Sequence, residues 1–314
     1  MLPRRCLAAI SASWRGHGTM TEKTLDRIAV TGGDYAVARW QSPGSQPLLL
    51  VHGITASHMH WPRVVDKLSG RFDIYAPDLR GRGRSHALPG PFGLQAHVHD
   101  LLAVLDAFHI ERVLCAGHSL GAYIAIELAA HAPDRIAGLV LVDGGIVLPL
   151  PEGQTAESAV SALLGPAIQR LHMIFASRGA YREFWRAHPA FQDEEAWTEY
   201  MAACADYDLV ETESGFRSVV NPEAVRQDAY GPLDPAMQTR LEGLRCPVLL
   251  LTASRGLLNQ PGSMLPVPRV QDALARNANL RHVEVTDTNH YTIALGSGAA
   301  RVAGYIEEFS AAVG

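Results

Sequence analysis

The chain has 314 residues, 47% hydrophobic and 19% charged, with a formal net charge of -5 at pH 7, the composition of a globular protein long enough to bury a sizeable core. No block of lysine and arginine occurs, so the charge pattern argues against nucleic acid or an anionic membrane surface as a partner and leaves small neutral or weakly charged substrates. Four cysteines, Cys6, Cys115, Cys204 and Cys246, lie far apart without metal-ligand or redox spacing; they read as reduced thiols, and the expected location is cytoplasmic.

At the N-terminus, Arg4, Arg5 and Arg15 surround an apolar stretch, 6–10, that is shorter than the core of a secretory signal. Met20 reads equally well as a start, so residues 1–19 are expected to be a flexible extension, with a weak export signal as the alternative. No run approaches the roughly 20 apolar residues of a membrane span. Residues 25–40 read as two strands joined near Gly32-Gly33, followed by the turn Ser42-Pro43-Gly44-Ser45 and the apolar run 47–51, which together form an antiparallel start to a sheet. Apolar strands then alternate with amphipathic helices: strand 72–76, helix 94–108, strand 113–116, helix 120–130 and strand 136–142. That alternation predicts an α/β fold with a mostly parallel sheet and helices on both faces.

Between 147 and about 235 the alternation stops, and no strand-like run is visible. Helical pieces at 156–164, 167–175, 181–187, 193–204 and 222–229 read as an insertion whose aromatics, among them Phe175, Phe184, Trp185 and Trp197, pack the insertion itself or roof a pocket. Alternation resumes with strand 247–252, helix 267–276, strand 280–285 and helix 299–313. The expected organisation is therefore a core in two parts, 20–146 and 236–314, with a helical cap at 147–235 inserted after the sixth of eight strands.

The pentapeptide Gly117-His118-Ser119-Leu120-Gly121 falls between a predicted strand and a predicted helix. A serine on so sharp a turn has its hydroxyl pushed clear, and small flanking residues avoid collision, so Ser119 is a candidate nucleophile. A serine hydroxyl needs a base within hydrogen-bond reach, and that base needs an orienting acid. Of fourteen histidines, His290 stands out because it follows the last predicted strand, at the carboxyl edge where open α/β sheets place their sites. The oxyanion formed on attack needs preset donors; the backbone N–H of Leu120, opening the helix after the serine, is one candidate, and that of Ile54, in the turn Val51-His52-Gly53-Ile54, is the second.

These residues, together with Trp61, the loop Asp78-Leu79-Arg80-Gly81-Arg82-Gly83-Arg84-Ser85 and His290, make the chain similar to α/β-hydrolase-fold enzymes of the capped group that includes MenH-like enzymes, C–C hydrolases, esterases and lactonases. The resemblance covers residues from about 25 to 314 and implies that the Asp78 to Ser85 loop is mainly structural. The chain departs from the family at the acid, which usually follows the strand that here is 247–252. The loop after that strand, 253–262, contains no carboxylate. The family also has members with the acid after the neighbouring strand, which makes Asp143 the best substitute; a turn-capping role is the competing reading, Asp272 is a distant second, and Asn259 could orient a histidine without charge.

What the resemblance implies is hydrolysis of a carboxylic ester or lactone of a small, largely apolar molecule through an acyl-serine, with no cofactor and no metal. The alternatives are hydrolysis of a carbon–carbon bond in a vinylogous diketone, performed by capped relatives, and a low-turnover ligand-binding role, motivated by the missing acid. A homodimer is compatible with the sequence. Which cap residues line the pocket stays open, with His172, Arg178, Tyr207 and Arg217 as candidates.

Overall fold

In the computed structural model of the chain the described residues are 23–68, 70–150, 152–192 and 196–313. The extension expected at 1–19 lies outside them, as do the first three residues of the helix expected at 193–204. The strands are β1 (Lys23–Val30), β2 (Gly33–Trp40), β3 (Gln46–Val51), β4 (Phe72–Pro77), β5 (Val113–His118), β6 (Ile136–Val142), β7 (Leu209–Thr212), β8 (Gly215–Ser218), β9 (Val248–Ala253) and β10 (Leu280–Val285). Eight of them form one sheet in the order β1-β2-β4-β3-β5-β6-β9-β10. The pairs β1/β2 and β2/β4 are antiparallel and all others in this sheet parallel, as the alternation predicts.

The central strands are buried along their whole length, for example all six residues of β5 and all seven of β6, because helices cover both faces. Successive side chains therefore enter opposite cores: Leu48 and Leu50 of β3 join Trp61 and the helices α1 (Pro62–Leu68) and α11 (Ala299–Val313). Leu49 and Val51 join α2 (Leu94–Ala107), α3 (Leu120–His131) and α8 (Ala236–Glu242) on the other side.

The segment expected to form a cap, called the cap below, lies between β6 and β9. It contains α4 (Ala156–Leu171), α5 (Arg178–Arg186), α6 (Glu199–Tyr207) and α7 (Pro222–Asp228). Two corrections to the sequence reading fall here. The pieces expected at 156–164 and 167–175 are one helix, α4, which continues through Pro166 and ends at Leu171, with residues 172–175 outside it. The segment is also not purely helical: β7 and β8 form a two-stranded hairpin, tied to the residue that follows α4 and its turn by a bridge between Phe175 and Phe216. The remaining helices are α9 (Val267–Arg276) and α10 (Thr292–Leu295). Among the described residues, no helix is long and apolar enough to cross a membrane.

Candidate active site

Ser119 sits at the junction of β5 and α3 with φ 54° and ψ −121°, a left-handed conformation that non-glycine residues adopt at a cost of order 1–3 kcal/mol. The turn persists because its neighbours leave no room for side chains. A Cβ on Gly117 would stand 2.2 Å from the Gly121 carbonyl oxygen, and one on Gly121 would stand 2.2 Å from the Val51 carbonyl oxygen. The Ser119 N–H donates to the Val142 carbonyl at 2.9 Å, fixing the turn to the end of β6.

His290 is held by its own loop. Asn289 Oδ1 accepts from the N–H groups of Tyr291 and Thr292, each at 3.0 Å, and its amide donates to the Ala190 carbonyl in the cap at 3.0 Å. His118 Nε2–H donates to the His290 carbonyl at 2.8 Å. The imidazole is thereby set so that Nε2 lies 3.1 Å from Ser119 Oγ while Nδ1 lies 2.7 Å from Asp143 Oδ2.

Asp143 follows β6 with φ 48° and is fully buried. Its N–H donates to the Leu251 carbonyl at 2.7 Å, and its Oδ1 accepts from the Ala253 N–H at 3.0 Å. The carboxylate thus leans from the end of β6 across the end of β9, so an acid carried on one strand reaches the space above the next. The two other candidates are elsewhere in the network. Asp272 pairs with Arg276 on α9, and Asn259 Oδ1 accepts from Asn289 and Arg255.

Leu120 opens α3, where the first N–H groups have no acceptor within the helix, and both Leu120 and Ile54 line the same cavity as Ser119. The Gly53–Ile54 peptide is oriented by His52. Leu79 N–H donates to His52 Nε2 at 2.9 Å, so the ring proton is on Nδ1, which donates to the Gly53 carbonyl at 2.8 Å. Arg82 Nε holds the Ile54 carbonyl at 2.9 Å. The arginines and Asp78 of the 78–85 loop are in fact supports. Asp78 accepts from the His58 N–H and ring, the Arg84 N–H and Tyr207 Oη at 2.7–2.9 Å. Burial opposes its charge, but His58 and the Arg84 N–H outweigh that and hold the carboxyl well below its ordinary range.

Behind His290 stand two imidazoles that the sequence reading passed over. His60 stacks on His118 with centroids 4.1 Å apart, and His118 lies 4.6 Å from His290. Burial pushes His60 down to about 3, does the same to His52, and carries His118 well below the usual histidine range, with the neighbouring histidines adding to it. All three are therefore neutral near pH 7 and add no positive charge beside His290.

The cavity over Ser119 and His290 has a volume of about 600 Å³. Its walls are mostly apolar, with Leu148, Leu164, Met201, Leu258 and Leu295 among them, and its roof carries Arg170, Trp185 and His188 from the cap. None of His172, Arg178, Tyr207 and Arg217 lines it; Tyr207 instead points its hydroxyl at Asp78. Arg170 was the legible one in hindsight, a cation three residues beyond Ala167 and six beyond Leu164 on the inward stripe of α4.

Comparison with known proteins defines the class. A family model described as alpha/beta hydrolase fold matches residues 46–166, and the crystal structure of E-2-(acetamidomethylene)succinate hydrolase superposes with a TM-score of 0.73 at 19% identity, covering 92% of this chain and 99% of that one. The chain has the α/β-hydrolase fold, and the family model covers residues 46–166 of it. It is similar to the lipase LipV of Mycobacterium tuberculosis, 37% identical over 131 residues, 42% of this chain and 48% of the lipase, so the match spans about half the length of that relative. It is also similar to N-formylmaleamate deformylase of Pseudomonas putida, 29% identical over 237 residues, 74% of this chain and 80% of that enzyme.

Proposed function

We propose that the protein is a serine hydrolase that cleaves a carboxylic ester or lactone of a small molecule through an acyl-serine intermediate. The observation that carries this reading is the hydrogen-bonded series Asp143, His290, Ser119, with links of 2.7 and 3.1 Å, at the floor of a cavity of about 600 Å³. His290 Nε2 takes the proton from Ser119 Oγ as the oxygen attacks the carbonyl. The carbonyl oxygen becomes an oxyanion facing the N–H groups of Ile54 and Leu120, where one donor is worth roughly 3 to 4 kcal/mol. His290 then protonates the leaving alcohol, and water, deprotonated by the same nitrogen, releases the acid. Asp143 keeps the ring proton on Nδ1 and stabilises the imidazolium that forms in between.

The lipase among the relatives supports an ester as the bond cleaved. A purely ligand-binding role was motivated by the missing acid, and Asp143 beside His290 removes that ground. Titration with a fluorophosphonate probe tests the reading: wild type should be labelled stoichiometrically at Ser119 and Ser119→Ala not at all. An unlabelled wild-type serine would sink the acyl-enzyme mechanism.

A further inference from the structure

Arg170 is 3% exposed, yet it lines the cavity that holds Ser119 and His290. One half of its guanidinium is committed: Nη1 donates to Asp208 Oδ2 at 2.9 Å and to the Tyr181 hydroxyl. Asp208 is committed in turn, Oδ2 to Arg170 and Tyr181 and Oδ1 to Ser218 Oγ at 2.8 Å. The other half is not. Nη2 is buried without a hydrogen-bond partner, while the guanidinium carbon stands 4.9 Å from the centre of the Trp185 ring. A strut joining α4 to the end of α6 needs only Nη1, so a structural role accounts for half of this side chain and leaves a costly orphan.

A second donor shares the roof. His188 Nδ1 accepts from the Ala190 N–H at 3.2 Å, which leaves the ring proton on Nε2. Burial and then the charge of Arg170 lower its basicity, so it is a neutral N–H donor. His188 lines the same cavity and packs against the other residues of the roof, its ring 5.9 Å from Trp185 and 5.4 Å from Tyr291. A planar guanidinium with an unpaired N–H edge and a neutral N–H donor line one chamber, whose walls are mostly apolar and whose roof carboxylate, Asp208, is already taken up by Arg170, Tyr181 and Ser218; the pair matches a carboxylate.

We propose that Arg170 and His188 form a carboxylate-binding subsite in the roof, so that the substrate is an acyl compound carrying a free carboxylate at the end remote from the bond that is broken. This rests on the cavity's being the substrate site of the hydrolysis described above. The apolar walls then take the chain that connects the two ends, and hydrolysis of such a hemiester releases a dicarboxylic acid and an alcohol, or, if the carboxylate sits on the alcohol part, a hydroxy acid and a second acid.

Binding to Ser119→Ala protein, which retains the whole roof and cannot form an acyl-enzyme, separates this inference from the mechanism. Three probes of one shape are compared by calorimetry: monophenyl glutarate, its primary amide, and phenyl pentanoate. The acid should bind at least about 10-fold tighter than both others, as expected for hydrogen bonds to a charged group. In Ser119→Ala/Arg170→Met/Asp208→Asn, where the partner charge is removed with the arginine, that preference should vanish. Equal affinity for acid and amide would overturn the carboxylate assignment, as would a preference unchanged in the triple variant. Failure of fluorophosphonate labelling in wild type, with the acid preference intact, would reject the acyl-serine step and leave the subsite standing.

Discussion

In the proposed mechanism Asp143, 2.7 Å from His290 Nδ1, is what lets His290 act as a base. In Asp143→Asn the side-chain oxygen is claimed by the Ala253 N–H, now satisfied by Oδ1 at 3.0 Å, so the amide NH₂ faces His290 Nδ1. That forces the ring proton onto Nε2, toward Ser119, and the histidine can no longer accept. A fall in kcat of about 10⁴-fold is expected, as for the same change in other serine hydrolases, with KM little altered; steady-state kinetics on a p-nitrophenyl ester measure it, and a loss under tenfold would exclude Asp143 as the orienting acid. The serine and the histidine were readable in the sequence because each has a local signature, a glycine-flanked turn and a position after the last strand. The acid had none. The resemblance points to Asp143 from the carboxylate-free loop 253–262, and the three-dimensional neighbourhood of β6 and β9 adds how its side chain crosses from one strand end to the next to meet His290.

At the level of elements, the turn between β5 and α3 works only if α3 packs directly against the end of β3. Gly121→Ala places a methyl 2.2 Å from the Val51 carbonyl oxygen, where backbone rather than a pliable side chain must move. Such overpacking costs about 1–3 kcal/mol or more, and the displaced β3 end carries the turn to Ile54. Thermal unfolding should show a midpoint several degrees below wild type, and ester hydrolysis should fall as well; a variant with wild-type midpoint and rate would show that the close approach is not needed. The sheet was legible because fully buried strands read as short apolar runs bounded by turns. The cap was less so. The strands β7 and β8 have four residues each and carry Glu211 and Arg217 on solvent-facing positions, too short for alternation to register, and Pro166 inside α4 imitates a helix boundary because proline disrupts the preceding turn.

For the molecule as a whole, the buried histidines make acid stability a test of the packing. His52 and His60 are fully buried and pushed down to about 3 from 6.5. Below pH 6.5 the unfolded chain binds protons at these sites and the native state does not until about pH 3, so stability falls as pH falls through that window. Each histidine removes up to about 1.4 kcal/mol per pH unit, and two of them give roughly 3 kcal/mol between pH 7.5 and 5.5. Urea unfolding at these two pH values measures the difference, and equal stabilities would mean that the histidines are solvated. Asp78 acts lower on the scale: its native carboxyl is held below the unfolded value of 3.8, so its contribution is present above that value and is lost only in stronger acid. Across the same core runs one further link. Arg82, completely buried, holds the Ile54 carbonyl and pairs at 2.6 Å with Asp228 at the end of α7, and Asp228 also accepts from His97 on α2 and from the Gly93 N–H. The cap is consequently not a portable module. A segment transplanted from a relative without an acid at this place would strand a guanidinium directly beneath the Ile54 turn, so exchange of substrate range by grafting must stop short of α7 or carry Asp228 with it.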